Sequence, residues 1–189
     1  MLTITDELDA VNIMLSAIGS DPVNTLTDTT DVDVANALRL LEKSSRDIQR
    51  KGWDFNKGTY IFYPNMADDN RILWDNTIIY HKSTDSNTYV KRGEYMYDMT
   101  NKTYNFNNKI ELEVTVAVDF IDLPDCFKNY ITAKASVAFQ ARYLGDAQIS
   151  QFLMMEMQEA YQDIVQYDLD MDKVNMLQLT NIADVLTRS

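Results

Sequence analysis

DVDVANALRLLEKSSRDIQRKGWDF, residues 31–55, is the stretch on which the fold turns. Apolar Val34, Leu38, Leu41 and Ile48, with small Ser45 between the last two, step by four and three and fall on one helical stripe. Asp31 and Asp33 sit where a helix start carries partial positive charge, and Arg46, Arg50 and Lys51 sit where its end is negative. Gly52 supplies the left-handed residue that stops a helix. Trp53 and Phe55 follow at once, so a well-capped packing helix delivers two aromatics to a fixed place.

Upstream, residues 5–19 predict a shorter amphipathic helix. Thr5 can cap it, Asp6, Glu7 and Asp9 favour its start, Leu8, Val11, Leu15 and Ile18 form its stripe, and Gly19 ends it. A loop over 20–30 separates the two helices, because Asp21-Pro22 forbids helix continuation.

Downstream of Phe55 the period falls from 3.6 to about 2. Residues 58–63, rich in Thr, Tyr, Ile and Phe, read as a strand closed by Pro64. A second strand is expected around 77–80, and residues 88–98 (TYVKRGEYMYD) read as a hairpin turning near Arg92-Gly93. In 109–120 (KIELEVTVAVDF), Ile110, Leu112, Val114, Val116, Val118 and Phe120 take one face and Glu111, Glu113, Thr115, Ala117 and Asp119 the other. One dry face and one wet face mark an antiparallel sheet of four or five strands.

Helical periodicity returns after Leu123-Pro124, where proline at an opening position loses no needed donor. Phe127, Ile131, Ala135, Ala138 and Phe139 form that stripe, Gly145 ends it, and Asp146 can cap a last helix carrying Ile149, Phe152, Leu153, Met157, Ala160, Ile164 and Tyr167. From residue 171 onward the periodicity fails, although Met176, Leu177, Leu179, Ile182, Val185 and Leu186 remain apolar. The expected fold is therefore α+β: an antiparallel bundle of about four helices (1–56 and 122–171), a small antiparallel β insertion between the second and third (57–121), and an extended C-terminal arm (172–189).

A chain of 189 residues with 46% hydrophobic content can bury a sizeable core. No apolar run approaches the roughly 18 residues of a membrane span, and the first 20 residues lack a secretory pattern, which predicts a soluble protein made in a cytoplasm. One cysteine, Cys126, leaves no internal disulfide and no cysteine-based zinc cluster. The net charge of −12 is unevenly placed: residues 1–38 and 146–172 each hold seven acids and no base. Nucleic-acid grippers concentrate Lys and Arg on a face, so tight phosphate binding is not expected; a solvated acidic surface is the simplest reading.

The chemistry-bearing residues are few. His81 is the single histidine and lies in a strand, where a structural role is expected over nucleophilic catalysis. Nucleotide-cradle, zinc-protease and calcium-loop patterns are absent, and no catalytic, cofactor or metal site is expected. Among 29 acids some pair always meets the spacing that glycoside hydrolysis requires, so paired carboxylates remain an alternative with little sequence signal. Trp53, Trp74, Tyr95 and Tyr97 could stack on sugars, but serve equally in packing.

The first third carries Glu7-Leu8, Ala10-Val11-Asn12, Ile18-Gly19, Pro22-Val23, Thr25-Leu26, Asp33, Ala35-Asn36-Ala37, Arg39, Leu41, Gln49 and Gly52-Trp53-x-Phe55-Asn56. Tyr89-Val90-x-Arg92-Gly93-x-Tyr95-x-Tyr97-Asp98 follows in the sheet. Pro124-x-Cys126-Phe127, Lys134-Ala135-Ser136, Phe139, Arg142, Asn175-Met176-Leu177 and Leu186-Thr187-Arg188 come next in order. In these fragments and their order, over nearly its full length, the chain resembles the tail tubular protein A family, head-to-tail adaptors (gatekeepers) of short-tailed bacteriophages. Departures from the family concentrate in 65–86 and in the Met-rich last helix.

The resemblance implies a virion protein of the phage tail, assembled in the host cytoplasm. It implies a dodecameric ring that joins the portal protein to a tail nozzle of the tail tubular protein B type, with the tail fibre as a further partner. DNA would pass through the channel without specific binding, and neither membrane nor cofactor is implied. Some family members are credited with polysaccharide hydrolysis, but no motif here carries that across.

A closed head-to-tail ring needs two different patches on each subunit. The expected assembly residues are Trp53, Phe55, Arg92, Tyr95 and Tyr97 from the hinge and sheet, with Met176, Leu177 and Leu179 from the arm. Asp6, Glu7, Asp9, Glu156, Glu159 and Asp163 are expected to border the channel, where like charge keeps DNA sliding.

Overall fold

The computed structural model describes residues 4–27 and 31–178, with side chains described up to residue 171. The chain divides into two compact units, one formed by Met1–Ile48 with Asp119–Ser189 and the other by Gln49–Val118.

The first unit is helical. Asp6, not Thr5, caps α1 (Glu7–Ser16): its Oδ1 accepts from the Asp9 N–H at 2.9 Å, while Asp9 Oδ2 accepts from the Thr5 N–H at 3.1 Å. Each acid thus satisfies a donor near the helix start. The buried face is Ala10, Val11, Met14 and Leu15, with Leu8 and Ile18 half-buried at its margins. In the following loop the Asn12 side-chain amide pairs both ways with Val23, donating to its carbonyl at 3.0 Å and accepting from its N–H at 2.8 Å.

Helix α2 (Val32–Gln49) starts where Asp31 Oδ1 accepts from the Asp33 N–H at 2.8 Å. Its buried face is Val34, Ala37, Leu40, Leu41, Ser44, Ser45 and Ile48. Leu38 is only half-buried, because the face centres on the small residues that let a neighbour approach. Helices α3 (Asp125–Tyr143) and α4 (Ala147–Gln178) pack on each other, and α3 also packs on α1. Their corner is fixed by the expected cap: Asp146 Oδ1 accepts from the N–H groups of Gln148 and Ile149. Buried Gln140 donates to the Asp146 carbonyl and accepts from the Ser150 hydroxyl at 2.6 Å.

Two expectations for α4 are corrected. Residues 172–178 continue the helix beyond the point where apolar periodicity fails, as backbone hydrogen bonding does not require an apolar stripe. Phe152, expected in the stripe, is 68% exposed, and among the described side chains of α4 only Ala160 and Ile164 are buried, since a helix pair by itself covers just the seam between the two.

The second unit holds five strands in two sheets, where the sequence predicted one. β1 (Lys57–Phe62), β2 (Ile78–Ser83) and β5 (Ile110–Val116) form an antiparallel sheet in the order β1-β5-β2. β3 (Tyr89–Arg92) and β4 (Tyr95–Asp98) form a separate hairpin. Gly93 takes φ +63 at the first turn position, which a two-residue hairpin turn reserves for glycine. Leu112 and Val114 sit in the core with Ile72, Trp74, Tyr89, Met96 and Phe106, as the alternation of β5 predicts. The strand nevertheless stops at Val116, and Phe120, expected on the same face, belongs to a 3-10 turn, Phe120–Asp122, of the helical unit.

Residues 49–56, which the sequence reading gave to the bundle, fall within the β unit for a visible reason. The Gln49 amide, 1% exposed, donates to the Val118 carbonyl at 3.0 Å and accepts from the Val118 N–H at 2.7 Å. Asn56, 2% exposed, donates to the carbonyls of Gln49 and Val116 and accepts from the Trp53 N–H. Two buried side-chain amides thereby close the entry and exit of the β unit like a short extra ladder.

Candidate functional site

The hairpin presents the first candidate surface. Register pairs Arg92 with Tyr95 and Val90 with Tyr97, so these four residues share one face, while Met96 and Asp98 turn inward. The Arg92 guanidinium lies 3.8 Å from the Tyr97 ring centroid, and Tyr97 meets Tyr104 edge-on at 4.7 Å. Arg71, paired with Asp68, stacks 4.2 Å over Tyr95. The structure thus brings the expected Arg92, Tyr95 and Tyr97 together and adds Arg71 and Tyr104, which sequence reading missed because they come from loops. A groove of about 470 Å³ runs along Arg71, Arg92, Tyr95, Tyr104 and Asn105. Rigid aromatics carrying cations are the chemistry enriched at protein interface hot spots.

Trp53 and Phe55 are half-buried in the turn between α2 and β1. The Trp53 carbonyl accepts from the N–H groups of both Asn56 and Lys57, which holds this turn rigid. Met176 and Leu177 lie on the last turns of α4, and Leu179 lies outside the described residues.

The six expected acids separate into two groups. Asp6 and Glu7 line a groove of about 540 Å³ together with Asp119, Asn24, Thr25 and Phe120. Burial pushes the Glu7 carboxyl above the usual range, and the negative charges of Glu42, Asp119 and Asp6 push it further. Glu42 and Asp119 come from distant parts of the sequence, and only the fold reveals them. Asp9 is engaged at the helix cap. Glu156, Glu159 and Asp163 line a different cleft of about 510 Å³, together with Ile4, Ile13, Ala133, Ala160 and Ser136.

His81 lies in β2 and packs within the β unit. Its Nε2 lies 2.8 Å from the Tyr89 carbonyl, and its ring meets Trp74 edge-on at 5.0 Å. Burial, and then a 2.7 Å hydrogen bond to Asp85, push the Tyr89 hydroxyl up to about 12. Among the described residues no group of His, Cys, Asp and Glu side chains is arranged to hold a metal ion, and no helix is long and apolar enough to cross a membrane.

A sequence profile described as tail tubular protein matches residues 8–174, through both units. The chain belongs to the tail tubular protein family. It is similar to tail tubular protein A of Klebsiella phage KP34, with 27% identity over 132 residues, covering 68% of this chain and 70% of that protein. As a tail tubular protein it is a structural component of the phage virion and assembles into the tail with other tail proteins.

Proposed function

We propose that this tail tubular protein is a ring-forming head-to-tail adaptor that joins the portal to the tail nozzle and lines part of the DNA exit channel. One observation carries the reading. The β unit has nine bases and nine acids, whereas the helical unit has eight bases and twenty acids, so the whole net charge of −12 lies in the helical unit. A subunit with one acidic body and one neutral, Tyr- and Arg-faced body presents dissimilar surfaces, as a ring that meets unlike neighbours requires.

In this reading the hairpin face of Arg71, Arg92, Tyr95, Tyr97 and Tyr104 grips a neighbouring tail component. Asp6, Glu7, Glu42 and Asp119 concentrate negative charge that repels DNA within a Debye length of roughly 10 Å at 0.1 M salt. The dodecameric state, the portal and nozzle as partners, and action without turnover all belong to this proposal. Mixing the pure protein with portal rings and imaging the product by electron microscopy tests it: a ring of extra density on the portal is expected, and bare portals overturn it.

A glycan-hydrolase reading has one observation in its favour, the raised carboxyl of Glu7 beside Asp119 and Asp6 in an open groove. Reducing-sugar release from host polysaccharide that disappears in Glu7→Gln would establish it. Equal release by both proteins, or none by either, would remove it.

A further inference from the structure

The cleft between α1, α3 and α4 combines an apolar floor, an acidic rim and one unsatisfied polar group. Ile4, Ile13, Ala133 and Ala160 line it, and Glu156, Glu159 and Asp163 are exposed along one stripe of α4. No basic side chain pairs with these three acids among the described residues. Ser136, also in the lining, is 1% exposed, and its hydroxyl has no hydrogen-bond partner there. A buried hydroxyl left without a partner is costly unless something outside the subunit completes it.

The complement of this cleft is on the same unit. Arg39, Lys43 and Arg46 lie on the exposed face of α2, and Lys43 is already paired with Asp47 at 2.8 Å. Arg39 and Arg46 have no acidic partner among the described residues. Both stripes have the same length: residues 39 and 46, like 156 and 163, are seven apart, or about 10.5 Å at 1.5 Å per residue. Two unpaired arginines on one helix therefore match two unpaired carboxylates on another in sign and in spacing.

We propose that the acidic cleft receives α2 of a second copy of this chain, with Arg39 and Arg46 of one subunit against Glu156, Glu159 and Asp163 of the next. An arginine has donors for a carboxylate of the rim, while its methylenes cover the apolar floor. The contact is heterologous and repeats from copy to copy. It rests on the ring-forming reading above, and it gives Glu156, Glu159 and Asp163 to the subunit interface instead of the channel.

Charge reversal tests it with the full chain on portal rings. Glu159→Arg with Asp163→Arg, and separately Arg39→Glu with Arg46→Glu, should each lower ring yield at least about tenfold, as expected when close opposite charges become like charges. All four substitutions together should restore yield to within about threefold of the unmodified chain, because the pairs re-form with signs exchanged. The changed residues are exposed, and equal melting temperatures will show that each variant folds. Undiminished rings in either double variant overturn the contact, as does failure of the fourfold variant to recover. Loss with the α4 pair alone overturns it in favour of a basic segment of portal or nozzle in the cleft. If the unmodified chain forms no ring, the adaptor reading itself falls, and this contact with it.

Discussion

The helical unit and the β unit are stabilised by different means. The helical unit carries all the net charge and buries small and aliphatic residues along helix seams together with Phe127 and Phe139, with Phe152, Met154, Met155 and Leu144 left exposed around the α3–α4 corner. The β unit is neutral, holds both tryptophans and seven of the eleven tyrosines, and closes around Trp74, Tyr89, Met96 and Phe106. An acidic body with an uncovered apolar corner resembles half of an interface. A neutral body with an aromatic core resembles a rigid platform that presents a surface.

The sharpest way to break this comparison is to unfold one unit and watch the other. Both tryptophans report the β unit, whereas far-ultraviolet dichroism reports mainly the helices. Leu112→Ala should destabilise the β unit by about 3 kcal/mol, within the usual range for a buried leucine truncation. In urea, the fluorescence transition should then move to lower denaturant while the dichroism transition stays. Coincident movement of both would show that the units unfold together.

Gln49→Leu comes next, because it strands the Val118 N–H and carbonyl that the amide satisfies. About 2 kcal/mol is expected from two backbone groups left partly unpaired. Faster hydrogen exchange at residues 116–118 is the specific sign, and unchanged protection there would mean that the amides are incidental. Trp53→Ala should reduce ring assembly more than a typical surface change does, with a smaller loss of heat stability; wild-type ring yield would reduce Trp53 to packing.

A salt series contrasts the units without any mutation. Raising salt should stabilise the acidic helical unit by a few degrees, as screening relieves repulsion among its acids, and should leave the neutral β unit nearly unmoved. Equal shifts in both transitions would dissolve the contrast.

The smallest effect is expected at Glu7. Its carboxyl is raised in the folded state by burial and by Glu42, Asp119 and Asp6, so the folded chain holds that proton more tightly than the unfolded chain does. Ionising Glu7 therefore destabilises the fold as pH rises from the ordinary value of 4.5 through the raised one. Glu7→Gln should raise the melting temperature slightly at neutral pH, and the gain should vanish below pH 4.5. A gain that persisted there would show that charge is not its cause.

Much of this was legible in the residues themselves. The α2 stripe, the Asp146 cap, the Gly93 turn and the alternation of β5 are local signals, because helix and strand periods and turn dihedrals are set within a few residues. The ordered match from Glu7 to Arg188 carried the family, and most of the acid asymmetry was visible as runs without a base. Other features required the third dimension. That five strands split into two sheets, that Phe120 leaves the strand face, and that Phe152 stands exposed are decided by what each element finds opposite it, which no local period records. The amides of Gln49 and Asn56 look like ordinary polar residues in the sequence, yet they reach partners 69 and 60 positions away. Asp6, Glu7, Glu42 and Asp119 become one repulsive cluster, and Ser136 becomes an orphan hydroxyl in an acid-rimmed cleft, only after helices distant in sequence are packed. Hydrogen bonds and Coulomb forces act through space, and the tertiary structure alone fixes those distances.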